Sequence, residues 1–250
     1  MAKDKKVVFF SIADEKNMPY FEKMKASLLY WHPKAKVELM GGQELQNTLK
    51  QDPHFFYRST PAIARELIKE YDVVIKIDAD SVITGDISDL WINDYDIAVP
   101  NNSNPKEYKK YPVTVWNIHP LSYLNCGLVA MQSETFIDHW WRLCTSPHFN
   151  FYQFREQDLM NIMIFYGMYK AVFLDASKTF WGLASKGYWP QIELRDNKLF
   201  LPPQPDWNEV EKEIKVIHWA GGNEANKMNF NTSFQEPVAK WLNKITKEEI

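Results

Sequence analysis

Short, unbroken apolar runs alternate with stretches of helical period along this chain, and few architectures accommodate that pattern. Residues 7–12, Val7-Val8-Phe9-Phe10-Ser11-Ile12, are apolar except for one serine. A run without polar alternation reads as a strand covered on both faces. Residues 18–30 follow with Met18, Phe21, Met24 and Leu28 at helical spacing. Residues 36–40 read as a second strand, stopped by Gly41-Gly42. Ser59-Thr60-Pro61 marks a helix start, with a hydroxyl cap and proline in the first turn, and the helix runs to about residue 70. Residues 72–77 are the next buried strand. Such alternation predicts an α/β fold built on a mixed, mainly parallel sheet flanked by helices.

The second half is less regular. Residues 96–99 and 127–131 read as strands, 133–143 and 156–166 as helices, and 171–174 and 215–218 as strands. Residues 234–247 read as an amphipathic surface helix. Between 101 and 124 lies a long polar and aromatic stretch, and loops of that length in a compact domain commonly carry function. No repeat or linker interrupts the chain, so residues 1–250 are expected to form one domain.

Composition narrows the function classes. For 250 residues and 29.5 kDa, the scaling of folded surface predicts that roughly 70–75% of the unfolded area is buried, enough to fold without disulfides or a structural metal. The net charge of −3 carries no basic excess, so nucleic-acid backbone binding is not expected. Residues 7–13 are far short of the ~20 apolar residues of a membrane span. Lys3, Lys5 and Lys6 precede them, but Asp4 interrupts the basic region and Asp14-Glu15 follow with no small-residue cleavage site, so no signal peptide is expected. Cys126 and Cys144 read as reduced core thiols of a cytoplasmic, soluble protein.

One short segment carries most of the chemistry. The strand at 73–77 ends in Asp78-Ala79-Asp80. In α/β sheets, ligands bind beyond the carboxyl ends of the strands. Two carboxylates one residue apart can reach one hard cation, Mn²⁺ or Mg²⁺, which completes its shell with water and phosphate oxygens. The chain supplies its own control: Asp94-Tyr95-Asp96 has the same spacing but precedes a strand, where turn duty is expected. Three further segments stand out. Asn125-Cys126-Gly127 leads into a strand, with a glycine that lets a neighbour approach the backbone. Glu156-Gln157-Asp158, with Asn161, opens a helix. His218-Trp219-Ala220-Gly221 ends a late strand.

In this order, these segments resemble glycosyltransferase family 8, the retaining enzymes of the GT-A fold, over about residues 7 to 227. Asp89-Leu90-Trp91 after Gly85-Asp86 and the first strand leading to Ile12-Ala13-Asp14 belong to the same resemblance. It implies a GT-A nucleotide-diphospho-sugar transferase fold. Residues 1–100 would be the nucleotide-binding half, 101–232 the donor-sugar and acceptor half, and 233–250 the C-terminal helix. It implies that Asp78, Asp80 and His218 bind Mn²⁺ (or Mg²⁺), which neutralises charge growing on the leaving diphosphate. Ile12, Ala13, Asp14 and Ala79 would contact the nucleotide, with Gly221 and Lys227 beside its phosphates. Asn125, Asp158 and an arginine, Arg65 or Arg58, would serve the donor sugar. Glu156 and Gln157 would stand at the reacting carbon.

Three departures from the family pattern are visible. Glu156 stands where the family often has Asp, and Cys126 where it often has Ala or Ser. Glu224 occupies the expected Lys place, with Lys227 three residues later. The expected activity is transfer of a hexose from a nucleotide sugar, UDP-glucose or UDP-galactose, to a hydroxyl of a glycan, lipid-linked or protein acceptor, with retention. Trp116, His119, Tyr188 and Trp189, with Asn101 and Asn102, are the candidate acceptor contacts. Two alternatives stay open. One is a haloacid-dehalogenase-like phosphatase with Asp78 as nucleophile, although 77 residues precede it and no later Asp-Asp pair follows. The other is a catalytically silent sugar-nucleotide binder. Oligomeric state is open.

Overall fold

The apolar runs form strands and the periodic stretches pack against them. The computed structural model describes residues 5–101, 118, 122–174, 180–181, 186–204, 210–219 and 228–247. Its elements are β1 (Val7–Ala13), α1 (Met18–Trp31), β2 (Val37–Gly41), α2 (Gly42–Gln51), α3 (Ser59–Leu67), β3 (Val73–Ile77), β4 (Ser81–Ile83), α4 (Asp89–Ile92), β5 (Ile97–Pro100), β6 (Leu128–Met131), α5 (Glu134–Cys144), α6 (Glu156–Tyr166), β7 (Ala171–Leu174), β8 (Phe180–Trp181), β9 (Glu193–Arg195), β10 (Lys198–Leu201), β11 (Lys212–Ile214), β12 (Val216–His218), α7 (Phe230–Ser233) and α8 (Glu236–Ile245). The central sheet runs β2-β1-β3-β6-β5-β7. β1 pairs parallel with β2 and β3, and β5 with β7. β6 alone runs against its neighbours β3 and β5. The sheet is therefore mixed and mainly parallel, with helices on both faces.

Strand alternation divides the core in two. Val8, Phe10, Val74, Val129 and Met131 face α3, α5 and α6, meeting Ala64, Phe136, Trp140 and Met160. Phe9, Val73, Ile75, Ile77 and Leu128 point the other way, onto Phe21, Met24 and Leu28 of α1. A third apolar cluster gathers Trp189, Trp219, Phe230 and Phe234 with Val238, Trp241 and Leu242 of α8. A small sheet, β11-β10-β9, lies beside it.

Several local expectations change. β2 ends at Gly41 as expected, but the next residue, Gly42, has φ +54 and starts α2, which the sequence reading did not anticipate. Ser59 does not cap α3. It lies inside the helix and its hydroxyl donates to the Phe56 carbonyl at 2.7 Å, because a 3-10 turn, Phe55–Arg58, runs directly into α3. The expected helix over 234–247 is broken: Phe234 and Gln235 are extended, and Pro237 sits in the first turn of a new helix, where its missing amide costs nothing. Tyr188 and Trp189, expected as acceptor platforms, are buried. Trp189 packs on Trp219 at 4.8 Å and on Phe234 at 5.2 Å. Trp116, His119 and Asn102 lie outside the described residues, whereas Asn101 is in a β-bridge with Leu124. Of the control pair, Asp96 accepts from the Lys170 amide at 2.7 Å and Asp94 pairs with Lys5; these are ties to distant segments, where turn contacts were expected. Both cysteines are free and buried. Among the described residues, no helix is long and apolar enough to cross a membrane.

Asn161 ties α6 to the segment entering β6. Its amide is fully buried, donates to the Leu124 carbonyl at 2.9 Å and accepts from the Leu124 amide at 2.8 Å. Asn161→Ala is expected to leave both backbone groups bare, at about 1–3 kcal/mol each. Equilibrium urea unfolding checks this, and an unchanged midpoint would refute the clamp.

Candidate active site

A turn and a strand pairing build the site. β3 ends at Ile77, and Asp78-Ala79-Asp80 turn the chain into β4. The Asp78 amide donates to the Gly127 carbonyl at 2.7 Å, which holds the start of the turn against the entry to β6. β4 pairs antiparallel with β12, with Ser81 opposite His218 and Ile83 opposite Val216. The Trp219 amide then donates to the Asp80 carbonyl at 2.9 Å. This register delivers an imidazole to Asp80 from 138 positions away.

The three donor groups converge as a cation site requires. His218 Nε2 lies 3.0 Å from Asp80 Oδ1 and 3.3 Å from Asp78 Oδ2. The three donor atoms all lie within 4.8 Å of one another. Octahedral ligation at about 2.1 Å separates neighbouring donors by about 3.0 Å. One imidazole nitrogen and two carboxylate oxygens at these separations therefore suit a divalent cation. Burial by itself would depress the His218 imidazole, but Asp80 and Asp78 outweigh it and raise it to about 9.

Gly127 is required by this packing. A Cβ there would stand 2.5 Å from His218 Cε1 and 2.8 Å from Asp78 Oδ2. The neighbour that the glycine admits is thus the imidazole and carboxylate pair. On the other side, Lys76 donates to Asp78 Oδ1 and, at 2.8 Å, to the Cys126 carbonyl. Desolvation opposes the Lys76 charge, yet Asp78 keeps the ammonium above its usual range. Burial likewise opposes the Asp78 carboxylate, and Lys76 and His218 hold it below the usual range.

The cluster opens into a cleft of about 240 Å³. Ile12, Ala79, Asp78, Asp80, Cys126 and Glu156 line it, together with Lys76, Asn17, Phe56, Ser59 and Thr60, five residues the sequence reading had not singled out as site residues. The signal for Lys76 was its charge in an otherwise apolar strand. Glu156 Oε2 is buried with no hydrogen-bond partner among the described residues. Burial raises this carboxyl to about 8, so it holds its proton at neutral pH. The Trp140 indole fixes the backbone below it, donating to the Glu156 carbonyl at 2.9 Å.

Other expected residues stand behind the wall or elsewhere. Gln157 accepts from the Cys126 amide at 3.0 Å and donates to the Tyr123 hydroxyl at 3.2 Å. Asn125 accepts from the Gly127 amide at 2.7 Å. Asp158, expected at the donor sugar, is fully buried; it accepts from Tyr123 at 2.5 Å and from the Phe154 amide at 2.8 Å. Asp14 accepts from the Asn17 amide at 2.9 Å and side chain at 2.7 Å, so it shapes the turn into α1 and presents Asn17 to the cleft. Ala13 is buried in the core. Arg65 points away: its Nε donates to Asp138 at 2.5 Å, and it lines a separate apolar groove with Met40 and Trp141. Five residues of helix carry it about 140° around and about 7.5 Å along from Thr60. Arg58 bonds Asp52 at 2.7 Å and lies over the Phe149 ring at 5.6 Å. Gly221, Glu224 and Lys227 lie outside the described residues.

No family model matches the chain, and no curated protein matches it. Solved structures do. The bifunctional glycosyltransferase WbbM aligns over 99% of this chain and 50% of its own, at 14% identity and a TM-score of 0.58. A glycosyltransferase involved in glycosylation of the major capsid of PBCV-1 covers 88% and 96%, at 10% identity and 0.57. The galactosyltransferase LgtC, in complex with donor and acceptor sugar analogs, covers 95% and 94%, at 14% identity and 0.55. The chain thus spans half the length of WbbM and nearly all of the other two. These likenesses show that the fold is the GT-A fold of glycosyltransferases.

Two outcomes are expected. Gly127→Ala should cost about 1–3 kcal/mol through overpacking and weaken stabilisation by Mn²⁺, as read by thermal melts with and without the ion. An unchanged Mn²⁺ response would contradict the tight fit around His218. Glu156 holds a proton in the folded state up to about pH 8, whereas its ordinary value is 4.5. The unfolded chain therefore loses that proton first, and Glu156 subtracts stability as pH rises from about 4.5 to about 8. Glu156→Gln should flatten this slope and raise stability at pH 8 by on the order of a few kcal/mol. Parallel slopes for variant and wild type in urea titrations across that range would refute it.

Proposed function

We propose that the protein is a metal-dependent glycosyltransferase, transferring a hexose from a UDP-sugar to an acceptor hydroxyl with retention, in the manner of glycosyltransferase family 8. The observation that carries this reading is the convergence of Asp78, Asp80 and His218 at the carboxyl end of a buried strand, on the lip of a cleft in a GT-A fold. Asp78, Asp80 and His218 would hold the divalent ion, whose chemistry is to neutralise the leaving diphosphate. Ile12, Asn17 and Ala79, which line the cleft, would contact the nucleoside.

The residues at the reacting end favour a front-face route. A covalent intermediate would need an ionised carboxylate at the anomeric carbon. Glu156 is kept protonated at neutral pH, and Gln157 is an amide already engaged with Cys126 and Tyr123. In the front-face route the acceptor oxygen bonds to the anomeric carbon as the bond to the phosphate oxygen breaks. The departing phosphate takes the acceptor proton. Glu156, as a neutral acid, can donate a hydrogen bond to a sugar hydroxyl, which an ionised carboxylate could not.

The test is a turnover assay with UDP-glucose and UDP-galactose in the presence of Mn²⁺, with the anomeric configuration of the product determined. Retention is expected. Asp80→Asn and His218→Ala should each lower kcat/KM by about 100-fold or more while the apo fold persists. An inverted product would remove the front-face mechanism. Stabilisation by UDP and Mn²⁺ without turnover on any acceptor would make the protein a binder.

A further inference from the structure

The cleft contains a positive charge that its proposed chemistry does not use. Lys76 is the last residue but one of β3 and is 5% exposed. Its neighbours along the strand, Val73, Val74, Ile75 and Ile77, are fully buried apolar residues. An ammonium is costly in such a place unless it is paired. Its partners are the Cys126 carbonyl at 2.8 Å and one oxygen of Asp78, Oδ1. The second oxygen of Asp78, Oδ2, is the one that faces His218, at 3.3 Å. Asp78 is therefore shared, with one oxygen turned to a resident cation and one to the ligand cluster.

We propose that Lys76 is a built-in counter-cation which keeps the Asp78–Asp80–His218 cluster a weak site for a divalent ion alone and makes firm binding depend on a nucleoside diphosphate. The inference rests on the metal and nucleotide reading given above. The charge arithmetic is simple. Two carboxylates and a divalent ion sum to zero, and a neutral imidazole adds nothing. Lys76 leaves one positive charge uncompensated, and its hold on Oδ1 competes with two-oxygen ligation by Asp78. The anionic oxygens of a diphosphate supply the missing charge. Because coupling between two ligands is reciprocal, each should tighten the binding of the other.

Calorimetric titration of Mn²⁺, with and without UDP, reads this directly. For the wild-type protein, UDP is expected to tighten Mn²⁺ binding at least tenfold. Lys76→Met and Lys76→Gln should tighten the binding of Mn²⁺ alone at least tenfold and shrink the effect of UDP. Lys76→Arg, which keeps the charge, should restore the wild-type pattern. A lysine that merely supports the fold predicts the opposite sign, since loosening the turn would weaken the ion's hold. Equal or weaker Mn²⁺ binding in a folded neutral variant overturns the proposal. If neither neutral variant folds, the wild type decides: Mn²⁺ bound as tightly without UDP as with it overturns the proposal, and a tenfold gain with UDP supports it. In those cases the site still binds metal or nucleotide and the reading of its function stands. No binding of Mn²⁺, UDP or the pair by the wild type would sink both.

Discussion

Two aspartates beyond the end of a buried strand repel each other, and much of the structure around them serves to hold them together. Asp78 is flanked on one oxygen by Lys76 and on the other by His218, and Asp80 meets the same imidazole at 3.0 Å. The antiparallel pairing of β4 with β12 sets that distance, because Ser81 opposite His218 leaves the preceding residue within reach of the ring. Gly127 provides the space. The remaining acid of the cleft, Glu156, adds no charge at neutral pH because burial keeps it protonated. The resulting cluster is compact and nearly balanced.

A second polar group does a different task. Tyr123, Gln157, Asp158 and Asn161 form a connected set that locks α6 to the segment entering β6. Burial and Asp158 push the Tyr123 phenol up, so it serves as a fixed donor. These acids and amides look chemical in the sequence, yet their hydrogen bonds are made to one another and to the backbone. They position Cys126 and Glu156, which line the cleft.

Legibility differed by kind of feature. The strands of the central sheet and the helices on its faces were readable because each is a local pattern: continuous apolar runs for strands buried on both sides, and a helical period for α1, α5 and α6. α2 was missed because its polar composition, with only Leu45 buried, carries little periodic signal. The short strands β9, β10 and β11 were missed because three or four residues contain too few alternations to register. The family resemblance implies an arginine from the helix before the acidic turn, Arg65 or Arg58, at the donor sugar, but helical geometry carries Arg65 to the opposite side of α3, where Asp138 takes it. Lys76 stood in plain view as a charge inside an apolar strand, and its partner was two residues away, at the start of the turn that follows the strand.

By itself the sequence determined the sheet-and-helix architecture and the location of the acidic turn beyond a strand's carboxyl end, because both follow from patterns spanning fewer than about twenty residues. It also supplied His218, Gly127 and Glu156 as separate fragments in order. Only the tertiary structure decided what they do together. The meeting of residues 138 positions apart depends on strand pairing. The protonation of Glu156 depends on burial, and the sharing of Asp78 between Lys76 and His218 depends on which oxygen faces which neighbour. Those are properties of distance and dielectric, and a linear chain has neither until it folds.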